Sequence, residues 1–335
     1  MSKLLTIVIP TYNTENYLPK CLDSLIIPKR MKQIEILIVI DGSPDNSVDV
    51  AKIYEQKYPN SIKVIEKVNG GHGSTINRGL ELASGKYFRV LDSDDWFNKV
   101  NFSDFLLKLS NSNEDLVMTH MTEQIIYKNK SIKKSSADIE FDKVYKTDYF
   151  DYNNYEIDFF GMSRCTYRTS TLRENNLNLL ENIFFEDSYL HVFHLASAKT
   201  FVFYDFDLYN YLIGRPGQSV TSDITRNHIM CWQKVIVQII SFRANIKFTQ
   251  NKLKFIDKVI DSYISHQYNL IFKLRYFEFK FELKNLNKLL NKYDYLYKFS
   301  HPKRTLSSNL PVLLFWIIFK LLSFKYYLKS NFENN

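Results

Sequence analysis

Three times within the first hundred residues an apolar run rich in Ile, Leu and Val breaks off into a polar or acidic loop. Residues 4–9 run into Pro10, Thr11, Tyr12 and Asn13, residues 35–40 into Asp41, Gly42, Ser43, Pro44 and Asp45, and residues 87–91 into Asp92, Ser93, Asp94, Asp95 and Trp96. Short apolar runs bounded by turn residues read as buried strands. Helical patterns lie between them. Tyr17, Leu18, Cys21, Leu22 and Leu25 recur at helical spacing ahead of Pro28, with Thr14 or Asn16 as the cap. Further helices are expected over 47–58 and 74–83, either side of a strand at 62–66 and the loop NGGHG at 69–73. Strand-helix alternation implies a parallel sheet, and open sheets of that kind bind ligands outside the carboxyl ends of their strands. The three loops are therefore expected to share one crevice.

Downstream the pattern is less regular. Residues 116–119 and 123–127 read as two strands, and 128–134 as a lysine-rich turn with no assigned chemistry. Glu186 and Asp187 follow Ile183, Phe184 and Phe185 and lead into a helix over 188–195, with a further strand at 200–204 and a flexible segment, GRPGQSVT, at 214–221. From about 225 to 300 the spacing is helical, with Trp232, Val235, Ile236 and Ile239, then Phe255, Ile256, Val259, Ile260 and Ile264, on one face. The expected organisation is an α/β domain over 1–225, divided at about residue 110, and a helical region over 226–335.

The net charge of +8 sits at the far end: residues 241–335 carry 17 Lys and Arg against 6 Asp and Glu, which leaves residues 1–240 slightly negative. Such a basic end suits nucleic acid, anionic lipid or a polyanionic glycan. No nucleic-acid reading module is visible, so nucleic acid is set aside. The apolar stretch at 310–324 would rise only about 22 Å as a helix, short of a hydrocarbon core of about 30 Å. It is read as a membrane-interface helix, within 309–328, flanked by Lys325, Tyr326, Tyr327 and Lys329; a buried helix or a contact between two copies is the alternative. Cys21, Cys165 and Cys231 form no CxxC pair, so neither a disulfide framework nor a zinc site is indicated. Residues 4–10 are too short for a secretion signal, and the expected location is cytoplasmic, at the inner face of the cell membrane.

Alternate carboxylates on an extended stretch project to one side, so Asp92 and Asp94 can act together. Hard oxygen ligands of this kind suit Mg²⁺ or Mn²⁺; a solvated turn is the other reading. The NGGHG loop permits close backbone approach, and the helix after it offers free N–H groups to an anion. It matches neither GxxxxGK[ST] nor GxGxxG, so ATPase and dehydrogenase readings lose their usual support. Arg78, one turn into that helix, faces either a nucleotide or solvent. His72 has no metal-ligand partner at useful spacing and either touches a ligand or caps the helix.

Taken together, IVIPTYN at 7–13, DGSPDNS at 41–47, NGGHGSTINRGLELASGKY at 69–87 and LDSDDW at 91–96, in this order and spacing, resemble the family 2 glycosyltransferases over about the first 110 residues. YRT at 167–169, FFED at 184–187 and YLIGRPGQSVT at 211–221 are similar to bacterial members that build surface polysaccharides. The resemblance implies a GT-A fold: α/β, Rossmann-like, with a mostly parallel central sheet flanked by helices, here with a C-terminal helical extension. It also implies roles. Tyr12 would stack on the nucleotide base and Asp41 recognise it, with Pro10 and Asn13 shaping the pocket. Asn69, Gly70, Arg78 and Ser93 would line the nucleotide-sugar site. Asp92 would face the ribose and the metal, Asp94 would ligate Mn²⁺ or Mg²⁺, and Asp95 would lie near the donor sugar. Arg215, Gln218 and Ser219 would belong to the loop closing over the donor diphosphate.

By the same resemblance Asp187, with Glu186 beside it, would be the general base of an inverting transfer; as residues alone, the two read equally as helix caps. The late QxxRW pattern of processive synthases is absent. The implied reaction moves a hexose or N-acetylhexosamine from a nucleotide sugar, a UDP-sugar, to a lipid-linked or polyanionic surface-polysaccharide acceptor. The basic C-terminal part would supply the peripheral membrane contact, and an oligomer is left open. Two other readings remain in view. A sugar nucleotidyltransferase would need a glycine-rich, basic N-terminal loop that this chain lacks. A non-catalytic glycan- or lipid-binding protein would have no use for Asp92, Asp94 and Asp187.

Overall fold

The computed structural model describes residues 3–134, 139–216, 218, 226–273 and 276–291. Ser219 and the apolar stretch within 309–328, with its flanking lysines and tyrosines, lie outside the described residues.

The first four strands, β1 (Leu5–Thr11), β2 (Ile34–Asp41), β3 (Ile62–Lys67) and β4 (Tyr87–Val90), pair in parallel in the order β3-β2-β1-β4. Helices α1 (Leu18–Leu25), α2 (Ser47–Lys57) and α3 (His72–Leu82) connect them. Every residue of β1 and β2 is buried, as their unbroken apolar runs require. On α1 the expected stripe of Leu18, Cys21, Leu22 and Leu25 is fully buried in the same core as Ile7, Ile9, Ile36 and Ile38. Burial of each aliphatic side chain contributes about 1.5–3 kcal/mol. Neither expected cap acts through its side chain: the Thr14 carbonyl accepts from the Tyr17 and Leu18 N–H groups at 2.9 Å each, and the Thr14 hydroxyl is used elsewhere. Pro19 sits in the first turn, where a missing N–H costs nothing.

Beyond β4 come β5 (Trp96–Phe97), α4 (Lys99–Ser110), β6 (Leu116–Ile125), β7 (Lys130–Lys134), β8 (Val144–Lys146), β9 (Cys165–Arg168), α5 (Thr169–Glu174), α6 (Leu190–Ser197) and β10 (Thr200–Ile213). The sheet continues β4-β9-β6-β10-β5, with β7 on β6 and β8 on β10. Because β9 is antiparallel to both β4 and β6, β6 and β10 run in the same direction as β1. All the loops that follow these strands therefore open on one edge.

Two expected strands, 116–119 and 123–127, are one strand. Buried His120 bridges them, its Nε2 3.0 Å from Asp205 Oδ1. The strand expected at 200–204 continues to Ile213, and register shifts between Phe203 and Tyr209 absorb the polar Asp205 and Asp207. Residues 186–189 form a 3₁₀ turn that leads into α6.

Arg89 of β4 is fully buried and has no carboxylate partner among the described residues. Its guanidinium donates to the Thr166 hydroxyl on β9 (2.8 Å), the Thr119 hydroxyl on β6 (3.3 Å) and the Ser163 carbonyl (2.6 Å), and it lies over the rings of Phe97 and Phe105. Burial pulls its pKa down to about 10.

The chain divides into two compact units, one comprising Met1–Thr221 with Ser241–Ile256 and the other the remainder. The last three helices described are α7 (Arg226–Asn245), α8 (Gln250–Lys273) and α9 (Tyr276–Asn291). The expected apolar positions from Trp232 to Ile264 are all buried. Within the first unit Phe242 meets Tyr189 edge-on at 5.4 Å; within the second Trp232 meets Tyr263 at 5.0 Å. Among the described residues no helix is long and apolar enough to cross a membrane.

Candidate active site

The loops after β1, β2 and β4 are tied together by side chains that local propensity does not reveal. Asn13 takes the left-handed conformation (φ 54°), and its N–H donates to Ser43 Oγ at 2.7 Å. The Glu15 N–H donates to Asp45 (2.8 Å), while the Glu15 carboxylate accepts from both nitrogens of Asn46 at 2.8 Å each. The Thr14 hydroxyl donates to buried Ser93 at 2.9 Å, tying the first loop to the acidic one. Tyr12, half exposed, stands at the rim next to these ties, and Pro10 is buried within β1.

Asp41 ends β2 and is buried. Its carboxylate accepts from the Gly70 N–H (2.9 Å), the Gly71 N–H (2.8 Å) and Lys67 Nζ (2.8 Å), and its carbonyl accepts from Asn69 Nδ2 (2.8 Å). Both carboxylate oxygens are thus spent on holding the glycine loop. Gly71 needs its freedom: φ is 82°, and a Cβ would come within 3.2 Å of the Asn182 backbone nitrogen. A Cβ on Gly73 would reach 2.3 Å from the Leu180 carbonyl. The segment from Leu179 onward therefore docks directly on the loop, held also by the Asn182 N–H donating to the Gly70 carbonyl at 2.6 Å, and it carries Glu186 and Asp187 with it.

The acidic loop is less well satisfied. Asp92 Oδ1 is 2.8 Å from His72 Nε2, and His72 Nδ1 is 2.7 Å from Glu186 Oε1, so one imidazole bridges the acidic loop and the segment holding Asp187. Asp94 pairs with Arg215. Asp95, almost wholly buried, accepts from the Tyr209 hydroxyl (2.6 Å) and the Leu212 N–H (2.7 Å). Burial and repulsion from Asp92 push the Asp94 carboxyl up despite Arg215. Burial and repulsion from Asp94 and Asp92 hold Asp95 well above the usual carboxylate range, against its two hydrogen bonds. Burial alone would lower His72, but the Asp92 charge and the hydrogen bonds to both carboxylates overcome it, leaving the imidazole well above its ordinary value. Asp187 is pushed up to about 6, by burial first and by Glu186 second.

Among the described residues no three His, Cys, Asp or Glu side chains converge as a ready-made metal cage. Mg²⁺ and Mn²⁺ sites that act on phosphates do not need one, because one or two carboxylates suffice when the substrate's oxygens complete the shell. Asp92 and Asp94, two crowded carboxylates each held, among the described residues, by one cationic side chain, fit such a role by their donor chemistry.

Asn69, Gly70, Asp41, Asn13, Ser93, Asp92, Asp94, Asp95 and Arg215 lie on loops at the carboxyl edge that are joined by separate ties, and Asp187 follows Glu186 in the segment that His72 reaches. Arg78 pairs with Glu81 on its own helix, at the exposed surface. Sequence reasoning missed Tyr209, Thr14 and the bridging part of His72. Their partners lie 20 to 117 residues away, so no local spacing could signal them.

A model of the glycosyl transferase family 2 domain matches residues 6–175. A Mycoplasma pneumoniae protein named as an uncharacterized glycosyltransferase is 46% identical over 97 residues, covering 28% of this chain and 32% of that one. A poly(ribitol-phosphate) beta-glucosyltransferase from Bacillus spizizenii is 29% identical over 221 residues, or 65% of this chain and 33% of that one. The chain thus spans about a third of the length of the curated relatives it matches. Among solved structures, S. aureus TarS residues 1–349 with UDP-GlcNAc superposes at a TM-score of 0.63 and 19% identity, covering 85% of this chain and 81% of that one. A mannosyltransferase from Pyrobaculum calidifontis with GDP-Man and Mn²⁺ superposes at 0.53 and 12% identity, covering 96% and 88%. These likenesses are of fold, and the fold is the GT-A α/β architecture.

Proposed function

The chain belongs to glycosyl transferase family 2, and we propose that it transfers a hexose or N-acetylhexosamine, with inversion, from a nucleotide sugar to a hydroxyl of a lipid-linked or surface-polysaccharide acceptor. The observation that carries the reading is the bridge Asp92–His72–Glu186, which ties the loop suited to a donor diphosphate to the segment bearing a carboxylate tuned near 6.

An acceptor hydroxyl loses its proton as its oxygen attacks the anomeric carbon, and the efficient base has a pKa near the working pH. Asp187 meets that condition: it is ionised at neutral pH yet more basic than a free carboxylate. The bond to the departing nucleoside diphosphate breaks as the new glycosidic bond forms, and Arg215 beside Asp94 offers a cation to that growing charge. Asp92 and Asp94 would hold Mn²⁺ or Mg²⁺, which when bound neutralises the diphosphate. Asp95, buried and locked by Tyr209 and Leu212, would fix the acidic loop beside the donor sugar. The rim at Tyr12, with the Asp41-held loop of Asn69 and Gly70, would receive the base.

A UDP-sugar is the donor we favour, since the TarS neighbours hold UDP-GlcNAc or UDP. The Mn²⁺ in the archaeal mannosyltransferase supports metal dependence, and the poly(ribitol-phosphate) substrate in a relative's name supports a surface-polymer acceptor. The basic residues 241–335 would hold the enzyme at the inner face of the membrane. The test is thermal stability against a panel of nucleotide sugars with and without Mn²⁺, followed by assay of released nucleoside diphosphate. A metal-dependent shift with one donor and release of its nucleoside diphosphate are expected; pyrophosphate release, or no response to any donor, would defeat the reading.

A further inference from the structure

The lysine-rich turn to which the sequence assigned no chemistry is a narrow hairpin on the same edge as the acidic loop. β6 runs in the direction of β1 and β4, so the turn after it, Ile126–Lys128, emerges beside the other carboxyl-end loops. Asn129 reverses the chain in the left-handed conformation (φ 45°), and β7 returns along β6 from Lys130 opposite Ile125 to Lys134 opposite Met121. Among the described residues β7 pairs with β6 alone, which leaves its outer edge open.

The hairpin tip touches the site. Tyr127 is 69% exposed, yet its ring also lies on Gly214, where an added Cβ would come within 2.8 Å of Cδ1. Gly214 has φ 97°, so glycine is required there twice, for conformation and for the ring. The next residue is Arg215, which pairs with Asp94. Three lysines of the hairpin, Lys128, Lys130 and Lys133, are exposed, and among the described residues only the fourth, Lys134, has an acidic partner, Glu123 at 3.2 Å. Side chains alternate across a strand, so Lys130 and Lys133 project to opposite faces while Lys128 sits at the tip. Ser131 donates to Gln124 (2.5 Å), which donates to Asn210 on β10 (2.9 Å), a run of groups suited to hydroxyls.

We propose that the hairpin of residues 126–134 is a docking track for an acceptor that carries phosphodiesters along a polyhydroxylated chain, and that Tyr127 on Gly214 sets where that chain enters the site. Positive charge on both faces and at the tip of a narrow hairpin suits a flexible polyanion that bends around it, whereas a planar bilayer meets one face only. The proposal rests on the glycosyl-transfer reading for its purpose, but the docking itself is measurable without catalysis.

The experiment uses the full chain and the triple variant Lys128→Ala/Lys130→Ala/Lys133→Ala, with Lys→Arg at the same positions as the charge-preserving control. The probes are a fluorescent oligo(glycerol phosphate), a neutral polyglycerol of equal length and phosphatidylglycerol vesicles. Wild type and the Arg variant are expected to bind the phosphate oligomer and not the neutral one. The Ala variant should lose about tenfold or more in affinity at low salt, with the slope of log affinity against log salt reduced by about 2, as for three released counterions. Its melting temperature and nucleotide-sugar response should match wild type. Equal binding of the oligomer by wild type and the Ala variant would overturn the proposal, as would a loss confined to the vesicles. Should the oligomer result hold while no nucleotide sugar is bound or cleaved, the docking stands and the glycosyl-transfer reading falls.

Discussion

Asp41 and Asp94 stand at the ends of neighbouring parts of one sheet, and each is largely shielded from water, yet they are treated oppositely. Asp41 receives two backbone N–H groups and a lysine, so the protein itself answers its charge. Asp94 has one arginine, a repelling Asp92 and a carboxyl pushed upward. A carboxylate that the fold fully satisfies shapes the fold; one it leaves short of positive charge is kept ready for something that arrives. Asp187 belongs with the second kind.

The largest effect expected is on that second kind. Asp187→Asn should lower kcat by about 10²–10⁴, the worth of a positioned base, while a donor-induced thermal shift survives. In wild type kcat/KM should fall as pH drops through about 6, as Asp187 takes up a proton. A flat profile, or full activity in the variant, would move Asp187 into Asp41's class.

Next, Asp94→Asn should abolish a metal-dependent donor shift worth about 2.7 kcal/mol at roughly 100 times Kd, with little change in the unliganded melting temperature. Asp41→Asn should do the reverse first: it breaks the hold on Gly70 or Gly71 and weakens the Lys67 pair, costing about 1–3 kcal/mol of stability. Equal stability losses in the two variants, read by calorimetry, would erase the distinction.

The smallest effect is on the stability of the unliganded protein. His72, Asp94, Asp95 and Asp187 all hold their protons more tightly folded than unfolded. Each contributes stability that is complete below its unfolded value and lost as pH rises through its folded value. Melting temperature should therefore decline as pH rises, first between about pH 4 and about pH 6 as Asp187 ionises, and again above the ordinary imidazole value, where His72→Gln should flatten the decline. A steeper slope in the variant would show that the imidazole does not carry the charge assigned to it.

Much of this contrast was visible in the residues and much was not. The runs ending in Tyr12, Asp41 and Asp92 announced strand ends, because continuous apolar segments buried on both faces have few other uses. The DSDD spacing left the loop between a metal site and a solvated turn, and only the family resemblance favoured the first. What Asp41 does with its oxygens was hidden, since its partners are backbone N–H groups about 30 residues on. The long β10 read as a short strand because Asp205 and Asp207 interrupt the apolar pattern; the one serves His120 and the other Thr122, on a strand 85 residues earlier. Lys130–Lys134 read as a turn because a strand with one edge open need not alternate cleanly.

The buried guanidinium of Arg89 has a consequence for how the protein is made. Its three hydrogen-bond partners, Thr119, Ser163 and Thr166, leave the ribosome 30 to 77 residues after it does. Until they arrive the cation has no place in an apolar interior, so the half of the sheet with the clearest sequence signature should wait, incompletely packed, for a later and less legible half. A fragment of residues 1–110 should accordingly show no cooperative melting, and a sharp transition from it would disprove the dependence. Synthesis of this protein would then have one late commitment, when a single strand, β9, slides between two others and closes over the charge.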